Sequence, residues 1–150
     1  MKIEKSRNKI LKMLIMKNLL ILATMLLTFG FANAQSKIYR GNSTYYGDQI
    51  GTYSDGKVYK GNSTYYGDQI ATVSDGKIYK GNSTYYGDQM GTLSNGKVYK
   101  GNSTYYGDQI ATLKDGKIYR GNSTYYGDQI GTYTGGDYCG AAAAFILLLW

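Results

Sequence analysis

The 150-residue chain contains no proline, no histidine and a single cysteine, Cys139. Without histidine, and with one thiol, it lacks the Ser-His and Cys-His pairs of nucleophilic catalysis and the ligand sets of most transition-metal sites. One cysteine also leaves no disulfide within the chain, so Cys139 is either a buried thiol or an intermolecular link. We therefore expect a non-enzymatic protein with no cofactor and no bound metal.

Positive charge is concentrated at the N-terminus. The chain carries 17 Lys and Arg against 10 Asp and Glu, a net charge of +7. Residues 1–34 account for +5 of this and the rest of the chain for only +2. The basic balance of the whole chain therefore does not predict a nucleic-acid partner.

The first 34 residues have the pattern of a secretory signal peptide. Residues 1–18 are basic, Leu19 to Ala32 is an apolar run, and Ala32-Asn33-Ala34 places small residues before a cleavage site at Gln35. The apolar run is shorter than the roughly 20 residues of a membrane-spanning helix, which disfavours the alternative of a retained anchor. The predicted location is the periplasm, the outer cell envelope or the extracellular space.

Five copies of a 20-residue unit follow without insertions. They occupy residues 37–56, 57–76, 77–96, 97–116 and 117–136, within a domain at 35–136 that is followed by a tail at 137–150. The segment from Gly41 to Gln49 is identical in all five copies. That identity reflects either structural constraint or recent duplication.

Each copy predicts two short β-strands. Asp75-Gly76 is typical of a type I′ hairpin turn, which places Val73 opposite Ile78 on a buried face. The Gly-Asn-Ser-Thr-Tyr-Tyr-Gly-Asp segment is rich in turn-forming residues and predicts a loop. Ten antiparallel strands would leave two exposed edges if the sheet were open, so we predict an all-β closed ring, a shallow barrel of five hairpin repeats.

Two positions in each copy vary together. Ile38 occurs with Gly51, and Val58 with Ala71, and the same alternation continues through the later copies. Such compensation in volume is expected where two side chains share one interior space. Duplication of a 40-residue unit would produce the same alternation.

The repeats resemble the β-flower proteins, shallow radial β-barrels whose hairpins spread as petals. The resemblance rests on Ile38-Tyr39, Ile50-Gly51 and their equivalents. Five copies imply a five-fold form, and the family implies no established reaction and at most an association with membranes. Choline-binding repeats and membrane-occupation-and-recognition-nexus repeats are similar at a distance.

The loops carry the candidate ligand-facing residues. These are ten tyrosines: Tyr45, Tyr46, Tyr65, Tyr66, Tyr85, Tyr86, Tyr105, Tyr106, Tyr125 and Tyr126. Exposed tyrosines stack on sugar rings or lie at a membrane interface, although they also cover small cores. Asp48 and its copies are either a carboxylate ring for a hard cation or solvated turn residues, with Arg40 and Lys60 among their predicted cross-strand partners. The Asn-Ser-Thr triplets are either glycosylation acceptors or polar turns.

The tail is apolar and lies outside the repeats. Gly140 to Trp150 would form a helix of roughly 16 Å, about half the thickness of a bilayer core. We predict that this short helix folds back and plugs the ring, because the interior residues Gly51 and Ala71 leave room for a backbone. Its predicted plug or membrane contacts are Phe145, Ile146, Leu147, Leu148, Leu149 and Trp150.

These features predict an exported, non-enzymatic repeat protein with a structural or membrane-associated role at the cell envelope. Its partner would be a membrane surface. The alternative is a carbohydrate- or cell-wall-binding module that uses the tyrosine loops to hold an envelope glycan. Neither interpretation fixes the oligomeric state.

Overall fold

The computed structural model describes residues 4, 6–8, 11–18 and 35–150. The chain divides into two units, Met1–Asn33 and Ala34–Trp150. In the first unit, residues 11–18 are helical. The apolar run and the cleavage site of the predicted signal peptide lie outside the described residues. Within the part of the chain that is described, no helix has the length and apolar character needed to cross a membrane.

The second unit is a closed antiparallel barrel of ten strands. The strands are β1 (Ser36–Arg40), β2 (Gln49–Ser54), β3 (Lys57–Lys60), β4 (Gln69–Ser74), β5 (Lys77–Lys80), β6 (Gln89–Ser94), β7 (Lys97–Lys100), β8 (Gln109–Lys114), β9 (Lys117–Arg120) and β10 (Gln129–Tyr133). Each strand pairs with the next in sequence, and β1 pairs with β10. At this seam Ile38 lies opposite Tyr133. The predicted all-β closed ring of five hairpin repeats is confirmed, and it leaves no unpaired sheet edge.

The Asp-Gly turns form the predicted hairpins. Asp75 and Gly76 have φ values of 50° and 71°, the left-handed values that a type I′ turn requires at both central residues. The turn sets Val73 opposite Ile78 and Thr72 opposite Tyr79, as the sequence predicts. Val73 and Ile78 are buried inside the barrel.

A β-bulge bends each repeat at the opposite end of its strands. Between β1 and β2 the register passes from Ile38 opposite Gly51 to Tyr39 opposite Gln49, so Ile50 is the extra residue. The equivalent irregularity occurs in the other four repeats. Bulges increase the local twist and bend of a strand, which helps a sheet of short strands to close.

The positions that vary together are cross-strand neighbours in the interior. Ile38 lies opposite Gly51, and Val58 opposite Ala71. The same pairing holds in the other three repeats. A bulky residue therefore always faces a small one across the same pair of strands, and the two side chains of each pair together keep the same number of carbon atoms.

The C-terminal helix, Asp137–Leu148, lies inside the barrel. It contacts strands all around the ring, including β1, β2, β4, β6, β8 and β10. Ala141 to Ala144 are fully buried, and Phe145 is 1% exposed. Because an isolated helix of this length is marginal in water, burial in the barrel is what stabilises it.

The helix and the barrel wall have complementary shapes. At Gly140 an added Cβ would lie 2.7 Å from Leu113 Cδ1, so small residues are needed where the wall is bulky. At the other end of the helix, a Cβ on Gly131 would lie 2.6 Å from Leu147 Cδ1, and one on Gly51 would overlap Ile146. The space left by the wall glycines is thus filled by helix side chains, and not by helix backbone as the sequence analysis expected.

Candidate functional site

Five cationic residues lie at one mouth of the barrel. Each is the cross-strand partner of a small interior residue: Lys60 lies opposite Gly51 in β2, and Arg40 opposite Gly131 in β10. Residues that face each other across two strands project from the same side of the sheet, so these cations lie on the inner face at the rim. All five are exposed. The set is Arg40, Lys60, Lys80, Lys100 and Arg120.

The apolar end of the C-terminal helix lies within this ring of cations. Leu149 approaches Gly91 in the barrel wall, so the helix ends at the level of the small interior residues. Ile146 to Leu149 are half-buried, and Trp150 is 59% exposed. The Nζ of Lys60 lies 5.5 Å from the centroid of the Trp150 ring, within range of a cation–π interaction. We call the five cations together with Ile146 to Trp150 the cationic mouth.

The structure places the predicted plug residues in two environments. Phe145 belongs to the buried core, and the next four residues pack against that core while remaining partly exposed. Trp150 is largely exposed. Most of the tail thus fills the barrel, and its last residues are exposed at the mouth.

The tyrosine loops leave the barrel at the same rim. Strand β1 ends at Arg40, and the loop begins at Gly41 and returns to the barrel at Gln49. All ten loop tyrosines are between 65% and 75% exposed, so they do not cover the core. The tyrosines that the structure buries are a different set on the strands: Tyr39, Tyr59, Tyr79, Tyr99, Tyr119 and Tyr133.

Hydrogen bonds between repeats join the loops into a ring. Asn82 Nδ2 donates to Tyr66 Oη at 2.8 Å, and Asn42 of the first repeat donates to Tyr126 of the fifth at the same distance. The remaining three repeats make the equivalent bond. The second tyrosine of each loop is therefore tied to its neighbour, which fixes the positions of the loops around the mouth.

The first tyrosine of each loop packs against a glycine. A Cβ on Gly47 would lie 3.0 Å from Cε1 and 3.2 Å from Cδ1 of Tyr45, so that side of the ring lies close to Gly47. With the side chain 74% exposed, its remaining surface is open to solvent. Tyr45 and its four copies are thus exposed aromatic side chains that each lie close to a glycine on one side.

The loop aspartates have local partners. Ser43 Oγ donates to Asp48 Oδ2 at 2.5 Å and accepts from the Tyr45 amide at 3.0 Å. The bond between serine and aspartate recurs in every repeat. Lys60, a predicted partner of these aspartates, lies beside Trp150 instead. In the described residues, no three His, Cys, Asp or Glu side chains are grouped closely enough to hold a metal ion.

Cys139 is a free, buried thiol at the start of the C-terminal helix. Burial raises the pKa of its thiol to about 12, although a hydrogen bond with Ser36 acts in the opposite direction. At neutral pH the group is therefore protonated and a poor nucleophile. Of the two interpretations left open by the sequence, the structure favours the buried thiol over an intermolecular link.

Sequence reasoning missed the cationic mouth, although a signal for it was present. Strand alternation places Ile78 inside the barrel, and the residue two positions later, Lys80, falls on the same face. No sequence pattern indicates the contact between Lys60 and Trp150, because the two residues meet only once the helix lies inside the barrel.

The fold and the mouth define a class of protein: a closed barrel of hairpin repeats with a helix along its interior and a basic rim. Residues 31–147 match the family model described as the 6-fold beta flower protein. The chain belongs to this family, and the resemblance seen in the sequence is confirmed. It closes its barrel with five repeats, whereas the family description gives six. No curated protein and no solved structure matches the chain.

Proposed function

We propose that this protein is exported and associates, without catalysing a reaction, with an anionic membrane surface of the cell envelope through the cationic mouth. The observation that carries the proposal is the coincidence of five exposed cations and an apolar helix end at one mouth. Export is supported by the signal-peptide pattern of residues 1–34.

Attraction to an anionic surface comes from the rim cations and is opposed by the exposed loop aspartates, Asp48 and its four copies, at the same end of the barrel. A Lys or Arg near an anionic bilayer contributes about 1 kcal/mol, so the five rim cations together contribute at most about 5 kcal/mol. Trp150 is 59% exposed and, like the loop tyrosines, is of a type enriched where lipid headgroups meet water. The cations attract the surface, and the aromatic side chains then lie at headgroup depth.

Vesicle cosedimentation tests the proposal with a matched pair of five-fold variants. The mouth variant replaces Arg40, Lys60, Lys80, Lys100 and Arg120 by Gln. The control variant replaces Lys37, Lys57, Lys77, Lys97 and Lys117 by Gln, which removes the same charge from the opposite ends of the same strands.

The wild-type protein should bind phosphatidylglycerol-containing vesicles, bind phosphatidylcholine vesicles weakly and lose binding as salt screens the charges. The mouth variant should bind at least tenfold more weakly than the control variant. Equal losses in the two variants, or no preference of the wild type for anionic vesicles, would contradict the proposal. Urea midpoints of both variants serve as the check on folding.

A second candidate is a glycan-binding module that uses Tyr45 and its four copies. The specific observation in its favour is the ring of Tyr45, which lies close to Gly47 on one side and is 74% exposed, since an exposed aromatic ring can stack on a pyranose. Replacing Tyr45 and its four copies by Ala would abolish retention on cell-wall glycan if this candidate is correct. The membrane proposal expects no such retention in the wild type.

A further inference from the structure

The five-fold symmetry of the cationic mouth is broken by the C-terminal helix. The barrel offers five equivalent wedges, each between the rim cations of two successive odd-numbered strands. Trp150 lies in only one of them, beside Lys60. A binding site that includes Trp150 therefore occurs once per chain, whereas a binding site formed by the rim cations alone would occur five times.

The wedge that holds Trp150 is a cleft of about 380 Å³ between Arg40 and Lys60. Its apolar lining is formed by Ile50, Ile146 and Trp150, and the polar side chain of Gln49 also lines it. The two cations belong to β1 and β3, which are separated by two strand spacings, roughly 10 Å. Flexible side chains of this length can converge on one anion placed between them.

The chemistry of the cleft selects an amphiphile. Arg40 offers a planar fork that matches a phosphate in bidentate geometry, and Lys60 offers a point charge on the other side. An apolar segment attached to the phosphate would cover Ile50, Ile146 and the Trp150 ring. The volume is within the range of small-molecule pockets.

We propose that this cleft is a single binding site for a phosphate amphiphile, with the phosphate between Arg40 and Lys60 and the first methylenes against Trp150. The inference rests on the proposed membrane function and deepens it by distinguishing one lipid-binding cleft from the general attraction of the rim. The chemistry recognised is a phosphate group that carries an apolar chain, which a membrane phospholipid supplies and a free phosphate does not.

The test is a titration of the purified protein with dihexanoylphosphatidylglycerol below its critical micelle concentration, followed by calorimetry. Parallel titrations use inorganic phosphate and dihexanoylphosphatidylcholine. The informative variants are Arg40→Gln and Lys60→Gln, and the matched control is Lys100→Gln, the same substitution in a wedge without Trp150. Trp150→Ala removes the aromatic part of the cleft.

The proposal expects one bound lipid per chain. Arg40→Gln, Lys60→Gln and Trp150→Ala should each weaken binding at least tenfold, and Lys100→Gln by less than twofold. Inorganic phosphate and the zwitterionic lipid should both bind at least tenfold more weakly than the anionic lipid. The inference is overturned by a stoichiometry near five, by equal losses in Lys60→Gln and Lys100→Gln, or by inorganic phosphate binding as tightly as the lipid.

Vesicle cosedimentation of the same variants separates this inference from the proposed function. Lys60→Gln and Lys100→Gln each remove one of five rim charges, so both should lower vesicle affinity, and Lys60→Gln should lower it further because it also removes a ligand of the cleft. Vesicle binding with no short-chain lipid bound refutes the single site and leaves the membrane function standing. A wild-type protein that binds no anionic vesicles refutes the proposed function itself.

Discussion

The pairing of bulky and small residues across the barrel wall predicts a strong coupling between Ile78 and Gly91. A Cβ on Gly91 would lie 3.1 Å from Ile78 Cδ1, 3.0 Å from the carbonyl oxygen of Tyr99 and 3.3 Å from Leu149 Cδ1. Gly91→Ala therefore overpacks the interior, at a cost of about 1–3 kcal/mol. A gain of about 0.4–1 kcal/mol from the less flexible unfolded chain offsets part of this cost. Ile78→Val removes the methyl group in the way and by itself costs about 0.5–1.5 kcal/mol.

The double variant Ile78→Val/Gly91→Ala recreates the Val/Ala pair that two repeats already have. Its free energy of unfolding should exceed the additive expectation by at least about 0.5 kcal/mol. Together with the wild type and the two single variants, the double variant completes a double-mutant cycle. Urea unfolding of these four proteins is followed by the emission of Trp150, the single tryptophan of the chain. The control cycle pairs Gly91→Ala with Ile118→Val, since Ile118 faces Gly131 and not Gly91.

The control cycle should be additive to within about 0.5 kcal/mol. Additivity in the Ile78 cycle as well would refute the reasoning. The alternation between repeats would then record the duplication of a 40-residue unit and not a packing requirement.

Three further predictions concern the core, the turns and the thiol. Phe145→Ala should lower the free energy of unfolding by about 3–5 kcal/mol in urea denaturation, because Phe145 is fully buried, whereas Trp150→Ala should change it by less than about 0.5 kcal/mol. Gly116→Ala should cost more in thermal melts than Gly61→Ala: both residues have positive φ, but only at Gly116 would the new Cβ approach a carbonyl oxygen, at 3.0 Å. Because the pKa of Cys139 is raised to about 12 in the folded protein, its contribution to stability should be complete below pH 9 and decline between pH 9 and 12. Replacing Cys139 by Ala should reduce that decline, as measured by urea midpoints across this pH range.

Most of the barrel follows from local rules that act within one repeat. The Asp-Gly turn fixes the register of each hairpin, and period-two alternation then identifies Val73 and Ile78 as interior residues. Exact repetition extends that result around the ring. The bulge at Ile50 was not predicted, because it arises where one hairpin must bend to meet the next.

The candidate site was harder to predict because it is formed by parts of the chain that are distant in sequence. The sequence interpretation directed Lys60 toward loop aspartates, while the structure gives Asp48 a serine partner and places Lys60 beside Trp150. The exposure of the loop tyrosines also could not be deduced, since turn-forming residues fix the loop and not which way its side chains point. Whether those tyrosines contact a ligand stays a prediction.

The emission of Trp150 tests the membrane account most directly, because this single tryptophan lies in the cationic mouth, beside Lys60. With anionic vesicles that contain brominated lipids, the account predicts a blue shift and strong quenching of the tryptophan. Neutral brominated vesicles should leave the emission nearly unchanged. Protein that binds anionic vesicles with no change in Trp150 emission would show that another surface faces the membrane, and would contradict the account.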